Sequence, residues 1–74
     1  MWEELTPRER MTAEGIGRGW TSEEIMRNLN IAESTQRHHV QAIREKLGLA
    51  SRTQIAVWMW REGRMQQCTR GIED

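Results

Sequence analysis

The sequence has a single cysteine, a single proline and no Tyr or Phe, and its 11 Lys and Arg balance its 11 Asp and Glu. One cysteine, Cys68, excludes a disulfide framework or a Cys-rich metal site within one chain. It reads as a free thiol in a loose tail. No apolar run is long enough for a signal peptide or a membrane span, so the expected setting is the cytoplasm. At 74 residues the chain is one small domain with a modest core. Zero net charge argues at first against nucleic acid, but the charge is unevenly placed. Residues 1–32 carry four Arg against six Glu, residues 33–52 four cations against two Glu, and residues 53–74 three against three. The positive excess falls on the middle segment. Ten of the eleven cations are Arg, the side chain suited to forked contacts with phosphate and guanine.

Helix punctuation is present throughout. Thr6-Pro7-Arg8-Glu9 combines a cap, a first-position proline and the Glu of a capping box. A first helix is expected over 7–16, stopped by Gly17 and Gly19. Thr21-Ser22-Glu23-Glu24 repeats the box and opens a short helix through Leu29. Asn30 is suited to the left-handed conformation that ends it. A third helix follows over Glu33–Leu47, with Ala32 where a Ser or Thr cap is expected and Gly48 at its end. Ser51-Arg52-Thr53-Gln54 reads as a third capping box, opening a fourth helix to about Glu62. Residues 66–74 lose periodicity and are expected to form a frayed tail, leaving 1–65 as the domain. No strand pattern survives, so the fold class is all-α with four helices.

The third helix carries the functional reading. Val40, Ile43 and Leu47 fall on one side of its wheel, and Ser34, Arg37, His38, Gln41 and Glu45 on the other. A short helix, a tight break and this second helix have the spacing of a helix-turn-helix. The outer face offers a guanidinium fork, an imidazole and an amide, all able to contact base edges in a major groove. Adjacent His38 and His39 diverge on a helix, and no Cys, Asp or third His shares their face, so no metal site is expected. No nucleophile-base pairing or phosphate-cradling loop is present, and no enzyme or cofactor is expected. Gly15-Ile16-Gly17-Arg18-Gly19 follows a helix rather than a strand, the wrong context for a nucleotide fingerprint.

In register, Leu5-Thr6-Pro7-Arg8-Glu9-Arg10, Gly19, Glu24-Ile25, Leu29, Ile31, Thr35, Arg37, His39, Ile43, Lys46-Leu47-Gly48, Ser51-Arg52-Thr53 and Ala56 resemble the LuxR-type (GerE-type) DNA-binding domain of bacterial transcription regulators. The resemblance covers residues 5–65. It implies a four-helix domain whose third helix enters the major groove of double-stranded DNA. It assigns base contacts to Arg37, His38 and Gln41, and phosphate contacts to Thr35 and Lys46, with Ser22 and Ser34 at the same surface. It also implies that the fourth helix pairs two copies. Two departures stand out. Gln36 occupies a position that is usually aliphatic and points to the core side. Ser22-Glu23 replaces an Asn-Lys pair, which weakens phosphate binding.

Residues 55–60 are six apolar residues in a row, Ile55, Ala56, Val57, Trp58, Met59 and Trp60. An intrachain core covers one side of such a helix. Ile55, Trp58 and Met59 are expected to face the chain's own helices, and Thr53, Ala56, Val57 and Trp60 a homodimer partner. The first helix carries Thr12, Ala13 and Gly15 where bulky aliphatics are usual. It is therefore expected to be the least protected helix, with Trp20 and Trp58 filling the space and Gly15→Ala stabilising. The overall expectation is a stand-alone transcription regulator that binds DNA as a homodimer. One rival is a module of the same fold that binds another regulator or RNA polymerase through its Trp-rich helix. A sigma-factor-like element is the other, disfavoured by the Lys46-Leu47-Gly48 and Ser51-Arg52-Thr53 signals.

Overall fold

A computed structural model describes residues 2–63. A short 3-10 turn, Trp2–Glu4, precedes α1 (Pro7–Gly17), α2 (Ser22–Leu29), α3 (Glu33–Leu47) and α4 (Arg52–Arg61). Among the described residues there is no strand, and no helix is long and apolar enough to cross a membrane. The expected tail and Cys68 lie outside the described residues.

Local chemistry explains the boundaries. Glu9 N–H donates to Thr6 Oγ1 at 3.2 Å while Thr6 N–H donates to Glu9 Oε1 at 3.0 Å, so the first capping box closes in both directions. Thr21 and Glu24 do the same at 3.2 and 2.8 Å. Asn30 takes φ 56° and Gly48 φ 70°, ending α2 and α3 in the left-handed region. Ala32 supplies no side-chain cap. The start of α4 differs from the expected box. Gln54 N–H donates to Ser51 Oγ at 3.3 Å, but Gln54 Oε1 accepts from Ala50 N–H at 2.7 Å rather than from the cap itself.

Leu5, Ala13, Ile16, Ile25, Leu29, Ile43, Leu47, Ile55 and Met59 form one core. α1 lies at its centre and packs against all three other helices. This overturns the expectation that α1 is thinly held. Its small residues let neighbours approach closely: Thr12, Ala13, Gly15 and Gly17 are all covered, beside the core residue Ile16. At Gly15 an added Cβ would lie 2.5 Å from Cε3 of Trp20 and 3.3 Å from Ile25. The missing side chain is therefore the seat of the Trp20 indole, and the expectation that Gly15→Ala stabilises is reversed. Trp58 stacks on Trp2, with ring centroids 5.9 Å apart at 23°, and the Arg10 guanidinium lies 5.3 Å over the Trp2 ring.

Candidate nucleic-acid interface

Two long-range ties set the angle of the helix-turn-helix. Arg8 Nη1 donates to the Leu29 carbonyl at 2.8 Å, satisfying the C-terminal end of α2 from α1. Arg52, at the first position of α4, donates to Ser22 Oγ at 2.7 Å and to the Trp20 carbonyl at 2.6 Å. The break at Asn30 is closed by Ile31 N–H on the Met26 carbonyl at 3.1 Å.

These ties leave the outer face of α3 open. Ser34, Thr35, Arg37, His38 and Gln41 are all exposed, while Ile43 and Leu47 are buried. Gln36 is buried as its wheel position requires, at 3% exposure. Two of the outward side chains rest on carboxylates of their own helix. Arg37 pairs with Glu33 at 3.5 Å, and Gln41 Nε2 donates to Glu45 at 3.2 Å. Both interactions span one helical turn at the surface, where such contacts stabilise by about 0.2–0.5 kcal/mol. A bidentate contact to a base edge contributes roughly 1–3 kcal/mol. The intrahelical partners are therefore too weak to keep these side chains from a stronger contact.

Two sequence-assigned residues sit differently. Lys46 is half-buried, and its Nζ donates to Glu9 Oε1 at 2.8 Å, linking the end of α3 to the start of α1. The same oxygen accepts from Thr6 N–H. Replacing Lys46 would thus strip a buried carboxylate of its partner as well as remove a cation, so it cannot isolate the phosphate contact expected from the sequence. Ser22 is half-buried, with its hydroxyl oxygen engaged by Arg52. Sequence reading missed the positioning role of Arg52, whose targets lie 30 and 32 residues away.

His39 is half-buried and turned toward α1. The Thr12 hydroxyl donates to the Arg8 carbonyl at 3.0 Å, so its oxygen accepts from His39 Nδ1, 3.4 Å away. Burial pushes the His39 pKa below its ordinary value of 6.5, with the nearby Glu9 charge working against that shift. Burial pushes the Glu9 carboxyl up, but the Lys46 hydrogen bond, the Thr6 N–H and the positive charges outweigh it and hold the group below 4.5. Both folded-state values lie below the unfolded ones, so the unfolded chain takes up protons first on acidification. Stability is expected to fall in two phases, first below pH 6.5 from His39 and then below pH 4.5 from Glu9. Denaturant midpoints across this range check it, and His39→Asn should remove the first phase while the second persists, reduced by the loss of the His39 charge beside Glu9.

On α4, Ile55 and Met59 are buried and Trp58 is half-buried, as expected. Thr53 is exposed, Val57 is 50% exposed and Trp60 42%. Ala56 is half-buried and packs against the core. Trp60 belongs partly to its own chain, because its indole N–H donates to the Gly17 carbonyl at 2.8 Å.

Residues 3–59 match the profile of a family described as bacterial regulatory proteins, luxR family. The chain is 42% identical over 59 residues to the nitrate/nitrite response regulator protein NarL of Escherichia coli K12, covering 80% of this chain and 27% of NarL. It is 37% identical over 62 residues to the spore germination protein GerE of Bacillus subtilis 168, covering 84% of each. The chain thus spans little more than a quarter of NarL and most of GerE.

Proposed function

The chain belongs to the LuxR family of bacterial regulatory proteins, and from that premise we propose that it regulates transcription by reading the major groove of duplex DNA with α3. The observation that carries this reading is the open polar face of α3. Arg37, His38 and Gln41 stand exposed on it, backed by a buried face that fixes the helix against α1. Arg37 suits guanine, Gln41 suits adenine, and Ser34 and Thr35 lie near the helix start, where phosphates flank a docked helix. Selecting genomic fragments on the purified protein at two salt concentrations tests the reading. The expected result is an enriched motif whose binding weakens as salt rises. Retention of no duplex even at low salt would transfer the role to the alternative, in which α4 binds another regulator or RNA polymerase.

We further propose that two copies pair through α4. The exposed strip of Thr53, Val57 and Trp60 is apolar at its centre and would meet its own copy about a two-fold axis. Pairing would place two reading helices on one side of the duplex at symmetric half-sites and double the small positive charge facing phosphates. Val57→Glu is a cleaner test than a change at Trp60, whose indole supports α1. The variant is expected to sediment as a monomer with an unchanged helical signal, and to lose DNA affinity by about 10²-fold or more. Parent protein that stays monomeric at high micromolar concentration would remove the homodimer.

A further inference from the structure

A cleft of about 280 Å³ opens between the start of α2, the inner edge of the reading face of α3 and the start of α4. Arg37, Arg44 and Arg52 line it, together with Ser22 and Gln36, and no carboxylate does. Its lining offers donors without matching acceptors. The Arg44 Nε–H is buried and meets no acceptor among the described residues. Gln36, at 3% exposure, adds its side-chain amide to the same lining. Ser22 Oγ already accepts from Arg52, which leaves the Ser22 O–H free to donate. Arg52 is held by two hydrogen bonds and contributes its charge from a fixed position. A cleft with donors, three guanidinium groups and no acid has the chemistry of an oxyanion site.

We propose that this cleft is a phosphate seat in which the guanidinium edge of Arg44 and the Gln36 amide hold a phosphate oxygen, assisted by the Ser22 hydroxyl. The phosphate comes either from the DNA backbone, an arm that rests on the DNA reading above, or from free phosphate. The cleft adjoins Arg37 and Gln41, so a backbone phosphate seated there would lie beside the groove that α3 enters. Neither Arg44 nor Gln36 is on the outward reading face, and both act on phosphate rather than on bases.

Two measurements test the seat. Inorganic phosphate is titrated onto the intact protein while the Arg44 Nε–H and Gln36 side-chain amide resonances are followed. Salt dependence of duplex binding is then compared between parent and Arg44→Met. The proposal expects a saturable shift of both resonances at millimolar phosphate. It also expects Arg44→Met to bind all duplexes about tenfold more weakly, with the slope of log K against log salt shallower by about 0.9. Helical signal is checked for each variant, and Arg44→Gln, which also removes the charge but keeps a polar side chain, carries the slope comparison if Arg44→Met does not fold. Saturation by phosphate with an unchanged duplex slope assigns the seat to free phosphate. A shallower slope without saturation assigns it to the DNA backbone. Should the parent bind no duplex while phosphate still shifts both resonances, the seat stands and the DNA reading falls. Unmoved resonances together with an unchanged slope overturn the proposal.

Discussion

Replacing Arg37, His38 and Gln41 together by alanine is expected to abolish sequence preference while leaving the fold intact. All three side chains are exposed, and their intrachain contacts are surface pairs with Glu33 and Glu45. Their loss should change stability by no more than about 0.5 kcal/mol per pair. Each bidentate base contact contributes roughly 1–3 kcal/mol of discrimination, so losing those of Arg37 and Gln41 should cost about 10- to 100-fold apiece. Affinity for unrelated duplexes should fall far less, because the residues expected to contact phosphates are unchanged. Anisotropy titrations of a selected site against a scrambled duplex measure the ratio directly. A triple variant that keeps the parent's ratio would show that α3 is not the reader.

Gly15→Ala is expected to destabilise the fold by roughly 1–2 kcal/mol, against the simple helix-propensity rule. Alanine gains up to about 1 kcal/mol over glycine inside a helix. The new methyl group, however, lands 2.5 Å from one Trp20 ring carbon and 3.1 Å from another. Forced overpacking of this kind costs about 1–3 kcal/mol. The indole cannot move away cheaply, because the Trp20 backbone is tied to the Gly15 carbonyl at 3.0 Å and Arg18 lies over the ring at 5.5 Å. A fall in melting temperature of about 5–15 °C follows for a domain of this size. In a Trp20→Ala background the same substitution should become neutral or stabilising, since the clash is gone and the propensity gain remains. A rise in melting temperature in the parent background would mean that Trp20 has room to swing aside.

Reversal of the Gly15 prediction shows where sequence reasoning stops. Elements set by neighbouring residues were legible. The boxes at Thr6 and Thr21 need particular residue types three positions apart, and the breaks at Asn30 and Gly48 need a residue tolerant of positive φ. The inward and outward faces of α3 follow from its period alone, including the burial of Gln36. Reading α1 by apolar area failed because its contribution is close approach: small residues there let other helices in. The ties of Arg52 to Ser22 and of Lys46 to Glu9 join residues 30 and 37 positions apart, and no local rule pairs them. The Trp60 bond to Gly17 is of the same kind, and it divides a residue assigned wholly to a partner between its own chain and the surface. Legible site residues are thus those that point outward from one helix. The illegible ones make the site by bringing separate helices together.

The most direct test of DNA reading by α3 is an NMR titration of the protein with a selected duplex, followed by detection of intermolecular contacts. The side-chain resonances of Arg37, His38 and Gln41 are expected to shift most, the Arg37–Glu33 and Gln41–Glu45 contacts to open, and the His38 ring protons to show contacts to base protons in the major groove. Shifts confined to Val57, Trp60 and their neighbours on α4, with the outer face of α3 unmoved, would contradict it.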